Sequence, residues 1–267
     1  MRANTNRARR LAFDHVVDEY DRARPRFGGA VVADLLEHAH LEPSDRVLEV
    51  GAGTGQLTDA LLSADLEVVA LEPGDRLAAR LRERTMDRSA RLTVVECFFE
   101  DYEAGDELFD AVVSANAFHW VDPDVSYAKS AALLRPDGTL VLLWSFPVAA
   151  DATLQRRLNR EVYFAELEGM SREPDGYQER LDDLVAAGRA EIDASGHFSV
   201  AWWSWHEVHR EISVDDYLSL AVSLADGVER RAVLAARVHA ALGRDVMIGL
   251  SEHVYVSVAQ RGVARPN

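Results

Sequence analysis

Apolar residues along this chain follow two alternating rhythms. Arg46 to Val50, Glu67 to Leu71, Leu92 to Val95, Phe109 to Ser114 and Thr139 to Trp144 are short, almost continuous apolar runs of strand length. Leu57 to Ala64, Asp75 to Glu83 and Tyr127 to Leu134 carry apolar residues at helical spacing instead. Strands of this kind separated by helices predict a parallel sheet covered on both faces. The run Arg135-Pro136-Asp137-Gly138 predicts a turn from the last of these helices back into the sheet. Two later runs, Val200 to Glu211 and Val254 to Gln260, read as strands on either side of a helical stretch from Val214 to Gly243. The fold expected is α/β: a doubly wound, seven-stranded, mostly parallel sheet with helices on both faces.

Two segments stand outside this core. Phe13, Val16, Val17 and Tyr20 form an apolar stripe ahead of Tyr20-Asp21-Arg22-Ala23-Arg24-Pro25, which predicts an N-terminal helical lid. Residues Ala150 to Ala194 predict amphipathic helices near Leu154 to Leu167 and Tyr177 to Ala187, joined by a loop at Glu173-Pro174-Asp175-Gly176. This helical insertion after the fifth strand would cover the active-site mouth. The chain of 267 residues thus reads as one domain, 1–267, with a lid (1–40), a binding core (41–146), a helical cap (147–195) and a completing segment (196–267).

Between the first strand and the first core helix stands Glu49-Val50-Gly51-Ala52-Gly53-Thr54-Gly55-Gln56. Glycines on alternate positions let the main chain turn sharply and approach a ligand with no intervening Cβ, at the carboxyl end of a strand where such folds bind nucleotides. A dinucleotide fingerprint begun at Gly51 would need glycine at 56, where the chain has Gln56, and this weakens an oxidoreductase reading. A second acid, Glu72 of Glu72-Pro73-Gly74, ends the second strand. It can accept two ribose hydroxyls or cap the helix that follows.

The acid and glycine pattern resembles the first motif of class I S-adenosylmethionine-dependent methyltransferases. Further elements resemble the small-molecule, type 11 or trans-aconitate-like branch of that family: Tyr20-Asp21-x-x-Arg24-Pro25, Ala70-Leu71-Glu72-Pro73, Phe109-Asp110-Ala111-Val112, Ala117-Phe118-His119-Trp120-Val121-Asp122-Pro123 and Leu133-Leu134-Arg135-Pro136-Asp137-Gly138. The resemblance implies a Rossmann-like sheet ending in an antiparallel pair, with S-adenosyl-L-methionine as cofactor and S-adenosyl-L-homocysteine as product. It implies that Glu49, Gly51, Gly53, Gly55 and Gln56 hold the methionine moiety, that Glu72 and Pro73 hold the ribose, and that Tyr20, Arg24 and Asn116 lie near the methionine end. For Tyr20 and Arg24 the alternative is a core tyrosine and a solvated arginine. After the third strand relatives carry Gly-Asp, whose Asp accepts the adenine amino group. Here the run is Glu96-Cys97-Phe98-Phe99-Glu100-Asp101, with Phe98 in the place of that Asp. Stacking and the backbone N–H of Phe99 or Glu100 remain for the base, with an acid from Glu100 or Asp101.

His119 and Trp120 are the catalytic candidates. His119 can take a hydroxyl proton as general base, or hydrogen-bond a carboxylate that needs none, with the Trp120 indole N–H beside it. Alternatively both pack the start of the next helix. The function expected is methyl transfer to a small-molecule oxygen, carboxylate or hydroxyl. The rival is a cofactor-binding protein of this fold with a non-methylating role, a cyclase or a binding module.

Composition narrows the partners. Lys plus Arg number 29 against 45 Asp plus Glu, a formal charge of −16, which argues against a nucleic-acid substrate. One cysteine, Cys97, excludes an intrachain disulfide, and no apolar run follows the arginines of residues 1–10, so a cytoplasmic location and no membrane partner are expected. Metal binding is not expected, because His206 and His209 on one strand would point to opposite faces. Ser195-Gly196 lacks the context of a hydrolase nucleophile. Monomer and homodimer both stay open.

Overall fold

Seven strands, β1 (Arg46–Val50), β2 (Glu67–Leu71), β3 (Leu92–Val95), β4 (Phe109–Ala115), β5 (Leu134–Ala149), β6 (Phe198–Ser213) and β7 (Met247–Arg261), form one sheet in the order β3-β2-β1-β4-β5-β7-β6. The computed structural model describes residues 7, 11, 14–15, 17–158, 177–222, 228–244 and 246–262. β1 to β5 run parallel, and β7 lies antiparallel between β5 and β6. This is the Rossmann-like sheet that the apolar runs predict.

Alternation along each strand builds two cores. Val47, Val68, Ala70, Ala111, Val113, Val141 and Val256 face one side, where α2 (Gly29–His38), α3 (Thr58–Ser63) and α4 (Asp75–Arg84) cover them. Leu48, Val69, Val112, Leu140 and Leu142 face the other, under α5 (Pro123–Leu133) and α7 (Tyr177–Ala194). Each such leucine, fully buried, contributes about 1.5–3 kcal/mol of transfer free energy. A third cluster joins α6 (Ala152–Leu158), α8 (Val214–Val222) and α9 (Val228–Leu242) to Ile212, Ile248 and Leu250 at the far end of β6 and β7.

Four elements differ from the sequence expectation. Arg135-Pro136-Asp137-Gly138 is not a turn before β5 but a bulge within it: Leu134 pairs with Phe109, and pairing resumes at Thr139 opposite Ala111. β5 and both late strands are longer than their apolar runs, because β7 pairs with β5 as far as Ala149 and with β6 as far as Ser213. α5 begins at Pro123, four residues early, because the Asp122 side chain accepts the Asp124 N–H at 3.0 Å and proline suits a first helical position. Phe13, Val16 and the loop at 173–176 lie outside the described residues, as does 159–167 of the expected insertion helix. Among the described residues no helix is long and apolar enough to cross a membrane, and no group of three His, Cys, Asp or Glu is placed to hold a metal.

The lid is α1 (Val17–Ala23) with Asp14 ahead of it. Gly74 at the N-cap of α4 offers no side-chain acceptor, so the first-turn N–H groups of Arg76 and Leu77 donate to Asp14 Oδ1, both at 2.9 Å. A Cβ on Gly74 would lie 2.7 Å from that oxygen. Further along, Asp18 and Asp21 meet Arg80 and Arg84, one and two turns after Arg76 on α4. Alternating acids on the lid therefore dock on a stripe of arginines.

Candidate active site

A cavity of about 270 Å³ opens at the carboxyl ends of β1, β2, β4 and β5. Its walls include Tyr20 and Arg24 from the lid, Gly51 and Gly53 from the glycine turn, Glu72 and Pro73 after β2, and Cys97, Phe98 and Phe99 after β3. Asn116, His119 and Trp120 follow β4, and Trp144, Ser145 and Phe146 belong to β5 itself. A smaller chamber of about 20 Å³ adjoins it, with Glu49 and Gln56 in its walls. Tyr20, Arg24, Gly51, Ala115 and Asn116 wall both spaces.

The glycine turn is required on steric grounds. Gly51 has φ +73°, and a Cβ there would lie 2.4 Å from the Ala117 Cβ, so the β1 and β4 loops touch only because residue 51 has no side chain. Gly53 donates its N–H to Glu72 Oε2 at 2.7 Å, and Gly74 donates to Glu72 Oε1 at 2.9 Å. Glu72 is thereby fixed at the mouth of the cavity, 5% exposed, and burial pushes its carboxyl up to about 7. The Asp14 cap fills the first turn of α4, so Glu72 remains a wall of the cavity as well as a partner of the N-cap residue.

Glu49 shares the strand parity of Val47 and so points toward α3, below the turn rather than into the main cavity. Its Oε2 accepts the Thr58 hydroxyl at 2.6 Å, and burial pushes its carboxyl up to about 8. Gln56 donates to the Thr54 hydroxyl at 2.6 Å, and Thr54 donates to Asp21 of the lid at 2.8 Å. Arg24 lies 5.1 Å over the Tyr20 ring, so the lid tyrosine and arginine form one unit beside Gly53 rather than a core residue and a solvated one.

Asn116, at φ +55°, turns the chain after β4, and its Oδ1 accepts the Ser145 N–H at 2.8 Å. This bond fixes the β4 loop against β5. The following 3-10 turn, Phe118–Trp120, buries Phe118 against Tyr127 and leaves His119 exposed at the mouth, 5.0 Å between ring centres from Trp120. Phe118 supplies the packing onto α5, which leaves His119 and Trp120 facing the cavity.

Gly55, Glu100 and Asp101 are not brought to either space. Gly55 packs instead, since a Cβ there would lie 2.5 Å from Leu81 Cδ1 of α4. Glu100 turns away, its Oε1 accepting the Asp122 N–H at 3.1 Å. The wall from β5 escaped the sequence reading. Trp144, Ser145 and Phe146 continue an apolar run, and only the length of its pairing with β7 shows that they stand inside the cavity mouth. His206 and His209 do separate, one to Asp34 at 3.1 Å and the other to Ser251 at 2.9 Å. Trp202 stacks on His38 at 3.8 Å and Trp205 faces Tyr255 at 5.2 Å, so these tryptophans line the sheet.

A doubly wound sheet with a glycine turn and two acids at its strand ends defines a nucleotide-type binding fold, and comparison with known proteins narrows it. Residues 47–138 match a family model described as a methyltransferase domain. A methyltransferase of Staphylococcus carnosus, itself uncharacterized, is 30% identical over 178 residues, covering 64% of this chain and 82% of the relative. An uncharacterized methyltransferase of Mycobacterium bovis is 37% identical over 135 residues. That match covers 51% of this chain and 52% of the relative, so the chain spans about half the length of such relatives. The solved structure of an S-adenosylmethionine-dependent methyltransferase from Thiobacillus denitrificans, in complex with S-adenosyl-L-homocysteine, superposes with a TM-score of 0.52 at 16% identity. It covers 91% of this chain and 96% of that one. The chain belongs to the methyltransferase family, and it has the fold of the S-adenosylmethionine-dependent methyltransferases of known structure.

Proposed function

We propose that this protein transfers the methyl group of S-adenosyl-L-methionine to an oxygen of a small molecule, a carboxylate or a hydroxyl. The observation that carries this reading is the cavity in which the glycine turn, Glu72 and the Glu49 chamber meet under the lid. The residues present suit the cofactor. The buried Glu49 carboxyl, its pKa raised, lies where an ammonium would restore its charge, the Glu72 carboxylate can accept hydroxyls, and the Gly51 and Gly53 backbone lies open where side chains would intrude. The Thiobacillus relative holds the demethylated product form of the same cofactor.

When bound, the cofactor supplies an electrophilic methyl carbon on a sulfonium. Glu49, Tyr20 and Arg24 are assigned to its amino-acid end and Glu72 to its ribose hydroxyls. Asn116 fixes the loop that carries His119 and Trp120. With the methyl group supplied by the cofactor, the chain's main work would be alignment of the acceptor and exclusion of water. A hydroxyl acceptor must also lose a proton, which His119 accepts; a carboxylate has none to lose, and His119 and Trp120 then only orient it. Trp120, Trp144 and Phe146 give the acceptor an apolar surround.

Titration calorimetry with S-adenosyl-L-methionine and with NAD tests the cofactor assignment. The first is expected to bind, and Glu72→Ala to weaken it by about 10- to 100-fold through loss of charge-assisted hydrogen bonds; binding of NAD alone would refute it. Turnover is tested by methyl-labelled cofactor against panels of acids, phenols and alcohols. His119→Ala should slow hydroxyl acceptors by about 10²–10⁴-fold and leave acids much less affected.

A further inference from the structure

The end of the cavity beyond Glu72 is walled by Pro73, Leu77, Cys97, Phe98, Phe99 and Val121. None of these side chains carries a carboxylate, and burial pushes the Cys97 thiol up, so it stays neutral. Glu72 is the one carboxylate in the cavity wall as described, and its oxygens already accept the Gly53 and Gly74 N–H groups. The nearby acids are directed elsewhere. Glu100 accepts from Asp122, and Asp101 takes two hydrogen bonds from the Arg7 guanidinium, at 2.9 and 2.8 Å.

The Arg7–Asp101 pair has a further consequence. It holds the Arg7 guanidinium 4.7 Å from the centre of the Phe98 ring, and that ring also lines the cavity. The Phe98 carbonyl accepts the Asp101 N–H at 3.0 Å, so backbone and guanidinium both meet at Phe98. An aromatic ring beside apolar walls offers a stacking partner to a purine, and the described wall around it offers no side-chain carboxylate to the amino group.

We propose that this chain binds the purine of its cofactor by stacking against Phe98, beside the Arg7–Asp101 pair, and that it does not discriminate on the 6-amino group. The inference rests on the cofactor assignment above and concerns its base alone. Recognition through a carboxylate would make loss of the amino group costly, because hydrogen bonds to charged groups are strong. Stacking depends on the face of the ring and is tolerant of its edge.

The test is direct binding by calorimetry, without turnover. Wild-type protein is titrated with S-adenosyl-L-homocysteine and with the analogue whose base is purine lacking the 6-amino group. The two dissociation constants are expected to agree within about threefold, since the stacked face is the same in both. Any larger loss for the analogue would overturn the proposal, since one charge-assisted hydrogen bond is worth about tenfold or more. Phe98→Ala should weaken both ligands equally, by about tenfold, and an unchanged affinity would equally overturn it. Phe98→Asp installs an acceptor and should widen the ratio between the ligands; Phe98→Leu, which keeps the apolar volume but not the ring, replaces Phe98→Ala if the alanine variant does not fold. Binding of neither ligand to the wild type would refute the cofactor assignment itself, whereas tight binding of S-adenosyl-L-homocysteine alone refutes only stacking without discrimination.

Discussion

Glu49 and Glu72 are buried carboxyls whose chemistry departs far from that in water. Burial is the main cause for both, and it raises them to about 8 and about 7. The folded chain therefore keeps protons on these carboxyls that the unfolded chain releases near pH 4.5. A raised carboxyl pKa makes the folded state relatively most stable below the unfolded value. That advantage is lost as pH rises through the window up to about 8. The thermal midpoint of the ligand-free protein should thus fall between pH 5 and pH 8, with a change in stability of a few kcal/mol. Glu49→Gln should flatten the fall. A wild-type midpoint that rises across that range would contradict the account.

At the scale of elements, the lid is held by a ladder of charges whose rungs differ in burial. The Asp21–Arg84 pair is well shielded, at 15% and 11% side-chain exposure, and Asp21 also accepts the Thr54 hydroxyl of the glycine turn. Asp18 is 66% exposed. Breaking a shielded pair leaves a charge poorly solvated and can cost about 3–5 kcal/mol, whereas an exposed pair contributes about 0–1 kcal/mol. Arg84→Met should therefore release the lid to limited proteolysis within 17–28 while the sheet stays intact, and Asp18→Asn should leave cleavage close to wild type. Equal cleavage of the two variants would contradict this ranking. The β strands of the core were legible in the sequence because a strand buried on both faces is apolar along its whole length, as Val47 to Val50 and Ala111 to Val113 show apart from Glu49. The turn at Gly51 was legible because its conformation needs glycine. The ladder was not, since Asp14, Asp18 and Asp21 meet Arg76, Arg80 and Arg84 across about sixty positions, and each set alone looks like an ordinary solvated helix face. The placement of Gly55 failed for a related reason. Two glycines in one motif serve different neighbours, Ala117 for Gly51 and Leu81 for Gly55, and the spacing does not say which.

At the scale of the whole molecule, β7 is the centre of the second half of the sheet. It pairs with β5 from Thr139 to Ala149 and with β6 from Phe198 to Ser213, so most of its backbone is bonded on both sides. Trp144, Ser145 and Phe146 consequently sit in the middle of a paired strand and not in a loop at its end. Amide exchange with deuterated water should expose that difference. Amides of 139–149 and 250–260 are expected to exchange only when the whole chain unfolds, while those of α1 exchange through local opening at much lower free energy. Fast exchange at 144–146 in the ligand-free protein would contradict it. One wall of the reaction chamber thus has the rigidity of the core, and the opposite wall moves with the lid. On the proposed assignment of the cavity to an acceptor, the β5 side is a fixed ruler, so changing which molecule fits calls for new side chains at 144–146 rather than a more pliable backbone.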